Sequence, residues 1–240
     1  MLPWCLLVAV RRVPVPCTLG GGVSTDRLET FSDGVFAIAI TLLVLGIAVP
    51  PPGGSLGAEL LRLWPAYLTY VVSFLVIGAI WINHHAMFRR VVYADAALLA
   101  LNLLQLMVFA FLPFPTAVLA QAFLRGTDEG IAAAFYGATL ALGGVFVNAV
   151  WRYAAHRRRL LSRDVTEQQA RQIGRRYLLG PLVYAAAAGV GLVLPWLAVL
   201  LFAGINGFYL WPRGVDRVAL EDPPESPRND GENEAKTAIE

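Results

Sequence analysis

Long apolar segments alternate with short charged clusters along this 240-residue chain. A helix of roughly 20 apolar residues crosses a bilayer core about 30 Å thick. Six segments have this character: residues 31–49, 64–82, 96–119, 131–151, 177–194 and 196–211. Only Pro195 separates the last two, and we interpret them as a tight hairpin because together they are too long for one span. The pattern predicts an all-α polytopic membrane protein with six transmembrane helices.

Composition and charge agree with a membrane protein. Hydrophobic residues make up 57% of the chain and charged residues 15%, whereas about a quarter of a soluble domain is charged. If the N-terminus lies inside, 17 of the 19 basic residues fall in cytoplasmic segments, as the positive-inside rule requires. We therefore expect both termini to be cytoplasmic and the basic segment between the fourth and fifth helices to contact membrane lipids. The net charge of +2 gives no reason to expect nucleic acid as a partner.

The six spans form one predicted domain, residues 24–213. Residues 1–23 are expected to be poorly ordered or to precede the true start, because an apolar run comes before two arginines, the reverse of a signal peptide. Residues 214–240 are acidic and contain several prolines, which predicts a disordered cytoplasmic tail.

Polar side chains at the start of the first helix need a partner or a function, because such groups are costly in a membrane. Asp33 is either a buried acid involved in ion or proton movement, or an acid near the interface stabilised, with Ser32, by the positive helix end. Asn83, His84 and His85 end the second helix at a similar depth. This predicts a histidine–carboxylate pair or a polar network between the two helices. No metal site is predicted, since adjacent histidines point about 100° apart on a helix.

Amides and glycines in the later helices are interpreted as packing features. Amide side chains usually bond across membrane helices, and four amides are expected to do so: Asn102, Gln105, Asn148 and Asn206. Four glycines are expected to allow close helix contact: Gly143, Gly144, Gly189 and Gly191. Pro113 and Pro115 are expected to kink the third helix. A helical extension with Asp164 as its N-cap is expected before the fifth helix.

The head of the first helix carries a specific motif. Arg27 is followed, after three residues, by Phe31, Ser32 and Asp33, and then by the run GVFAIAITLLVL. This arrangement resembles the Arg-x-x-x-Phe-Ser-Asp signature of the transmembrane protein 175 family of potassium channels. The end of the second helix is similar to the family's pattern at four positions: Trp81, His84, His85 and Phe88. The resemblance covers roughly residues 24–211.

The resemblance implies a homotetramer in a prokaryotic plasma membrane, with a central pore lined by the first helix of each subunit. It implies potassium as the permeant ion, no cofactor and no carbonyl-lined filter. Ile38 matches the main constriction residue, and helical steps from it bring Thr41, Leu42 and Leu45 to the same stripe. This apolar stripe would act as filter and gate by size and dewetting. The supporting polar network would comprise Arg27, Phe31, Ser32, Asp33, Trp81, Asn83, His84 and His85.

Two other functions have less support in the sequence. A proton channel or proton-coupled transporter using Asp33, His84 and His85 would need a continuous polar route, and the apolar stripe opposes one. A membrane-embedded enzyme would need a catalytic constellation, and no nucleophile, paired-carboxylate or phosphate-binding motif is visible. We therefore expect a channel that is moderately or weakly selective for potassium over sodium, because an apolar ring discriminates only by the cost of dehydration.

Overall fold

The computed structural model describes residues 23–50 and 52–210, with side chains from Thr25 to Gly207. The expected N-terminal segment 1–23 lies outside the described residues except for Val23. The expected tail 214–240 also lies outside them. Two short strands, β1 (Val23–Ser24) and β2 (Tyr93–Ala94), pair antiparallel. The described chain also contains two short 3₁₀ segments, Leu43–Gly46 and Arg158–Leu160, and these α-helices: α1 Asp26–Leu42, α2 Leu56–Arg62, α3 Trp64–Phe88, α4 Ala96–Phe111, α5 Pro113–Arg125, α6 Glu129–His156, α7 Glu167–Gly191 and α8 Pro195–Leu210.

Four helical stretches of the described chain are long and apolar enough to cross a membrane: Asp26–Gly46, Trp64–Phe88, Ala96–Arg125 and Glu129–His156. They contain or overlap the first four predicted segments. The fifth predicted segment is the apolar half of α7, whose first ten residues are mainly polar, and the sixth is the shorter apolar helix α8. An all-helical fold with four candidate spans is thus confirmed, and six spans remain a prediction.

Two breaks in the apolar helices follow from local chemistry. The first helix changes to a 3₁₀ turn at Leu43–Gly46. A side chain on Gly46 would lie 3.1 Å from the Ala117 Cβ atom, so glycine permits this turn to approach α5. The third predicted helix is interrupted at Leu112, between α4 and α5, where Pro113 and Pro115 supply no N–H donor. The prolines therefore divide this helix as the sequence predicts.

The start of α7 corrects one expectation. Thr166, rather than Asp164, is the N-cap. The Thr166 hydroxyl accepts a hydrogen bond from the Gln169 backbone N–H at 3.3 Å, and the Gln169 side chain accepts one from the Thr166 backbone N–H at 2.9 Å. This reciprocal capping box satisfies two N–H groups that an isolated helix start leaves unpaired.

Small residues bring α6 against α4 and α7. A Cβ atom on Gly143 would overlap the Phe109 ring, and one on Gly144 would lie 3.0 Å from Pro181. Gly191 is similarly close to Ala133. Close contact is therefore confirmed for these three glycines, whereas the expectation is wrong for Gly189, whose Cβ position has no atom within 4 Å.

After α7 the chain reverses at residues 192–194, and Pro195 begins α8. The Tyr184 hydroxyl and the Asn206 Oδ1 atom lie 3.1 Å apart and join the two helices. At the opposite end of the molecule, the Thr25 hydroxyl donates to the Val91 carbonyl at 3.1 Å. Together with the β1–β2 pairing, this bond ties the start of α1 to the connection between α3 and α4.

Asp95 is the N-cap of α4 and the meeting point of three elements. Its carboxylate accepts hydrogen bonds from the Leu98 backbone N–H at 3.1 Å and from the Tyr153 hydroxyl at 3.0 Å, and it lies 3.6 Å from the Arg159 guanidinium. Burial alone would raise the pKa of this carboxyl. The two hydrogen bonds and the positive charge outweigh burial, so the pKa of Asp95 lies below its usual value.

We predict that Asp95→Ala lowers the free energy of unfolding by about 1–2 kcal/mol at neutral pH, because it removes the cap and leaves Tyr153 without its acceptor. The folded-state pKa is depressed. The stabilisation is therefore complete above the unfolded value of about 3.9 and is lost as the pH falls through the folded value. Thermal unfolding in detergent from neutral to acidic pH measures both effects.

Asp95→Asn is the matched control. The asparagine keeps an acceptor for the Leu98 N–H, replaces the second carboxylate oxygen by an NH2 group that can donate to the Tyr153 oxygen, and removes the charge. It should therefore cost less stability than alanine and remove the acid dependence of the unfolding temperature that Asp95 contributes. Equal unfolding temperatures for Asp95→Ala and the unaltered chain at neutral pH would contradict the assignment of Asp95 as a stabilising cap.

Candidate ion-conducting face and its supporting network

The helix α1, together with the 3₁₀ turn that follows it, has one buried face and one exposed face. One face packs against α3, α4 and α5 through five buried side chains: Leu28, Ser32, Phe36, Ala39 and Leu43. The opposite face exposes three large apolar side chains: Ile38 at 61%, Leu42 at 41% and Leu45 at 76% of their accessible surface. The predicted stripe is therefore the face that its own subunit leaves uncovered.

The 3₁₀ turn keeps Leu45 in line with this stripe. A 3₁₀-helix has three residues per turn, so side chains at i and i+3 eclipse one another. Leu45 therefore stands over Leu42, although the α-helix ends there. The Thr41 hydroxyl donates to the Ile38 carbonyl in the same helix at 2.9 Å. The stripe thus presents mainly hydrocarbon, and its one hydroxyl already has a partner.

At the entrance to α1, the motif residues have different surroundings. Arg27 and Phe31 are exposed in the single subunit. The Ser32 hydroxyl is fully buried and donates to the Leu28 carbonyl at 2.8 Å. Asp33 is exposed, and its Oδ1 atom accepts a hydrogen bond from the Trp81 indole N–H at 2.8 Å. This last bond joins α1 to α3.

A buried network connects α1, α3 and α4. The Asn102 amide nitrogen donates to the Ser32 hydroxyl oxygen at 3.2 Å, and its Oδ1 atom lies 3.0 Å from the His84 Nε2 atom. For Asn102 to accept, His84 must carry its proton on Nε2. Phe36 and Phe88 contact the imidazole, with ring centroids 5.3 and 4.5 Å away. The network is polar inside and enclosed by aromatic rings.

Of the two alternatives that the sequence left open, a histidine–carboxylate pair and a polar network between the helices, the described side chains form the second, as two separate sets of bonds. Asp33 bonds to Trp81, and His84 bonds to Asn102. His85 stacks against the Trp81 ring at 6.3 Å between centroids. The Asn83 side chain donates to the Ala79 carbonyl of its own helix at 2.8 Å, so this bond links no second helix.

The amides behave as expected in three of four cases. Asn102 joins three helices, Asn206 bonds to Tyr184, and the Asn148 amide lies 3.4 Å from the Gly174 carbonyl of α7. Gln105 differs: it is fully buried, and neither its Nε2 nor its Oε1 atom has a partner within the described part of the chain. The sequence placed Asn102 and Gln105 on one face without distinguishing them.

We predict that Asn102→Leu lowers the free energy of unfolding by about 1–3 kcal/mol, because it leaves the buried His84 and Ser32 groups with unpaired polar atoms. Gln105→Leu lies one turn further along the same face and serves as the matched comparison. It removes an amide without a partner and should leave stability unchanged or raise it. Thermal unfolding of delipidated protein in detergent measures both, and an equal loss in the two variants would contradict a structural role for the network.

Comparison with known proteins gives consistent matches. The family model described as the endosomal/lysosomal potassium channel TMEM175 matches residues 27–113. A potassium channel of Streptomyces collinus is 44% identical over 175 residues, which are 70% of this chain and 83% of that protein. The mouse endosomal/lysosomal proton channel TMEM175 is 33% identical over 171 residues, which are 67% of this chain and 33% of the mouse protein.

A solved structure matches as well. The crystal structure of a lysosomal potassium-selective channel TMEM175 homolog from Chamaesiphon minutus superposes with a TM-score of 0.69 at 37% identity. The match covers 77% of this chain and 95% of that one. Sequence identity of this extent, together with the shared fold, establishes that the chain belongs to the TMEM175 family.

Proposed function

We propose that this chain forms a potassium-permeable cation channel. The observation that carries the proposal is its 44% identity to a potassium channel over 83% of that channel's length. The likeness to the potassium-selective Chamaesiphon homolog supports it. The family is one of ion channels, and the chain is not an enzyme.

In this proposal, α1 from each of four subunits lines a central pore. The exposed apolar face of α1 is compatible with this arrangement, because its own subunit does not cover Ile38, Leu42 and Leu45. The family resemblance is what assigns this face to the pore and not to the lipid-facing surface. Four copies around an axis would turn each position into a ring. The Ile38 ring forms the constriction, and hydrocarbon rings of this kind gate by excluding water.

Selectivity in such a pore comes from dehydration. The Thr41 hydroxyl oxygen is the one polar side-chain atom among the four predicted stripe residues, and the other three carry only hydrocarbon. Few oxygen ligands therefore replace the water that an ion sheds. Potassium loses water more readily than sodium and passes more easily. The resulting preference is weaker than that of a filter built from rings of carbonyl oxygens.

The polar groups at the base of α1 have a supporting role in this proposal. The Trp81–Asp33 bond and the Ser32–Asn102–His84 network hold the inner half of α1 against α3 and α4. Arg27 and Phe31 remain exposed for contacts with a neighbouring subunit or lipid headgroups. Arg27 and Phe31 are assigned to the motif on the basis of the family resemblance.

The proposed topology has six spans and cytoplasmic termini in a plasma membrane. Four candidate spans, followed by the apolar half of α7 and the apolar helix α8, supply six crossings. The polar first half of α7 and the loop before it then extend from the cytoplasmic surface. Basic residues concentrate there, as the positive-inside rule favours.

We predict that Ile38→Asn raises sodium flux relative to potassium flux by about tenfold, because a polar ring at the constriction lowers the cost of dehydration. The measurement is ion uptake into proteoliposomes under a potassium gradient and then under a sodium gradient. Leu200→Asn is the control, because Leu200 is comparably exposed, at 65%, but lies on α8.

The two variants separate the pore from a general effect of a polar residue in the membrane. An unchanged flux ratio in Ile38→Asn, or the same rise in Leu200→Asn, would contradict Ile38 as the constriction. If the unaltered protein passes neither ion, the channel proposal itself fails.

Proton permeation is the second candidate, because the mouse relative is described as a proton channel. We expect protons to share the α1 pore, so Ile38→Asn should change proton flux and potassium flux together. A pH-sensitive dye inside the proteoliposomes measures proton entry. If His84→Gln lowers proton flux and leaves potassium flux unchanged, protons use a separate route through the Asp33 and His84 region.

A further inference from the structure

A crevice of about 660 Å³ lies inside the subunit, away from the α1 stripe. Its walls come from α3, α4, α6 and α7, and it extends from Asn206 of α8 to the loop before α7 at Ser162. In the proposed topology it therefore runs from the middle of the membrane to the cytoplasmic surface. No step of ion conduction through α1 uses it.

The end of the crevice near Ser162, which we call its mouth, is positively charged. Arg89, Arg90 and Arg176 line it, with Asp164 as the acidic group among them. The Arg90 Nη1 atom donates to the Ala86 carbonyl at 2.5 Å. Because a guanidinium carries five N–H donors, this bond holds the side chain in place and leaves donors for an anion.

The inner wall combines hydrocarbon with one unpaired amide. Among the apolar lining residues, Ile80 and Val147 are half-buried, whereas Phe109 and Leu140 are almost fully buried. Gln105 lines the same space, has no exposed surface, and has neither amide atom paired within the described chain. Leaving a buried amide unpaired costs free energy, so the crevice suits an occupant that brings a hydrogen-bonding group to Gln105.

We propose that this crevice binds one anionic phospholipid of the cytoplasmic leaflet. The headgroup phosphate binds Arg90 and Arg176, an acyl chain packs along Ile80 and Val147, and an ester carbonyl accepts from the Gln105 amide once that buried side chain turns into the crevice. Basic pockets between transmembrane helices on the cytoplasmic side bind anionic lipid headgroups for the same electrostatic reason. A lipid is favoured over a soluble phosphate because the crevice lies between membrane-spanning helices and has an apolar inner wall.

The test compares phosphatidylglycerol with phosphatidylcholine on delipidated protein in detergent. Native mass spectrometry counts bound lipid, and thermal unfolding reports the stabilisation that binding produces. Phosphatidylglycerol should bind at least about tenfold more tightly, and the double substitution Arg90→Gln with Arg176→Gln should remove most of that preference. Glycerol 3-phosphate is the soluble arm and should neither bind nor compete.

Arg175→Gln is the matched control for charge. Arg175 neighbours Arg176 but lines a separate cleft with Arg152 and Arg171, so losing it lowers the basic charge of the same surface without touching the crevice. Its phosphatidylglycerol affinity should equal that of the unaltered chain. An equal loss in this control and in the double variant would show that general surface charge attracts the lipid, and would overturn the site.

Gln105→Leu gives an independent readout. It should raise or preserve the unfolding temperature of lipid-free protein and reduce the additional rise caused by phosphatidylglycerol. The proposal is overturned if the two lipids bind equally, if glycerol 3-phosphate competes, or if Gln105→Leu leaves the lipid-induced rise unchanged. The channel proposal is unaffected by these outcomes, since ion flux is measured separately.

Discussion

The position of α1 depends on a small hydrogen-bonded set, Ser32, Asn102 and His84, sealed between three helices. The bilayer core contains no water, so these buried polar groups can form hydrogen bonds only within the protein. Their bonds therefore favour one arrangement of α1, α3 and α4 over others. Aromatic rings from Phe36 and Phe88 close the set on two sides. The buried face of α1 is thereby specified, and the apolar stripe is left on the other face.

Close packing contributes more than polar bonds to holding the other helices of the bundle together. Gly143 lets α6 approach Phe109 more closely than a residue with a Cβ atom would allow, and Gly144 permits a tight contact with Pro181. Lipid tails are as apolar as the helix surfaces, so the hydrophobic effect does not drive helices together inside the membrane. Close van der Waals contact is therefore a main source of helix association. The α6–α7 pair thus gives α3 and α4 a fixed wall, and the crevice lies where α7 and α3 remain apart.

Much of this architecture follows from sequence pattern, because apolar length and charge asymmetry report directly on a bilayer. The partners of individual polar side chains do not follow in the same way. Asp33 and His84 lie at similar depth in adjacent helices. Their side chains nevertheless point to different partners, the Trp81 indole for Asp33 and the Asn102 amide for His84. Gln105 and Asn102 share a helix face, and only three-dimensional packing shows that one is paired and the other is not.

The strand pair at the start of α1 has a mechanical consequence. Val23 pairs with Ala94, Thr25 bonds to Val91, and Trp81 holds Asp33, so sliding α1 along its axis would break all three attachments at once. Tilting it about Asp33 would move the strand end at Val23 and the stripe end at Leu45 in opposite directions, because they lie on either side of that residue. Leu45 lies twelve residues beyond that pivot, about 18 Å away. A tilt of roughly 5° there would displace Leu45 by about 1.5 Å over that lever arm. The buried Leu43 side chain and the close approach of Gly46 to Ala117 on α5 resist such a tilt, so the packing of this turn holds the stripe residues at their distance from the pore axis.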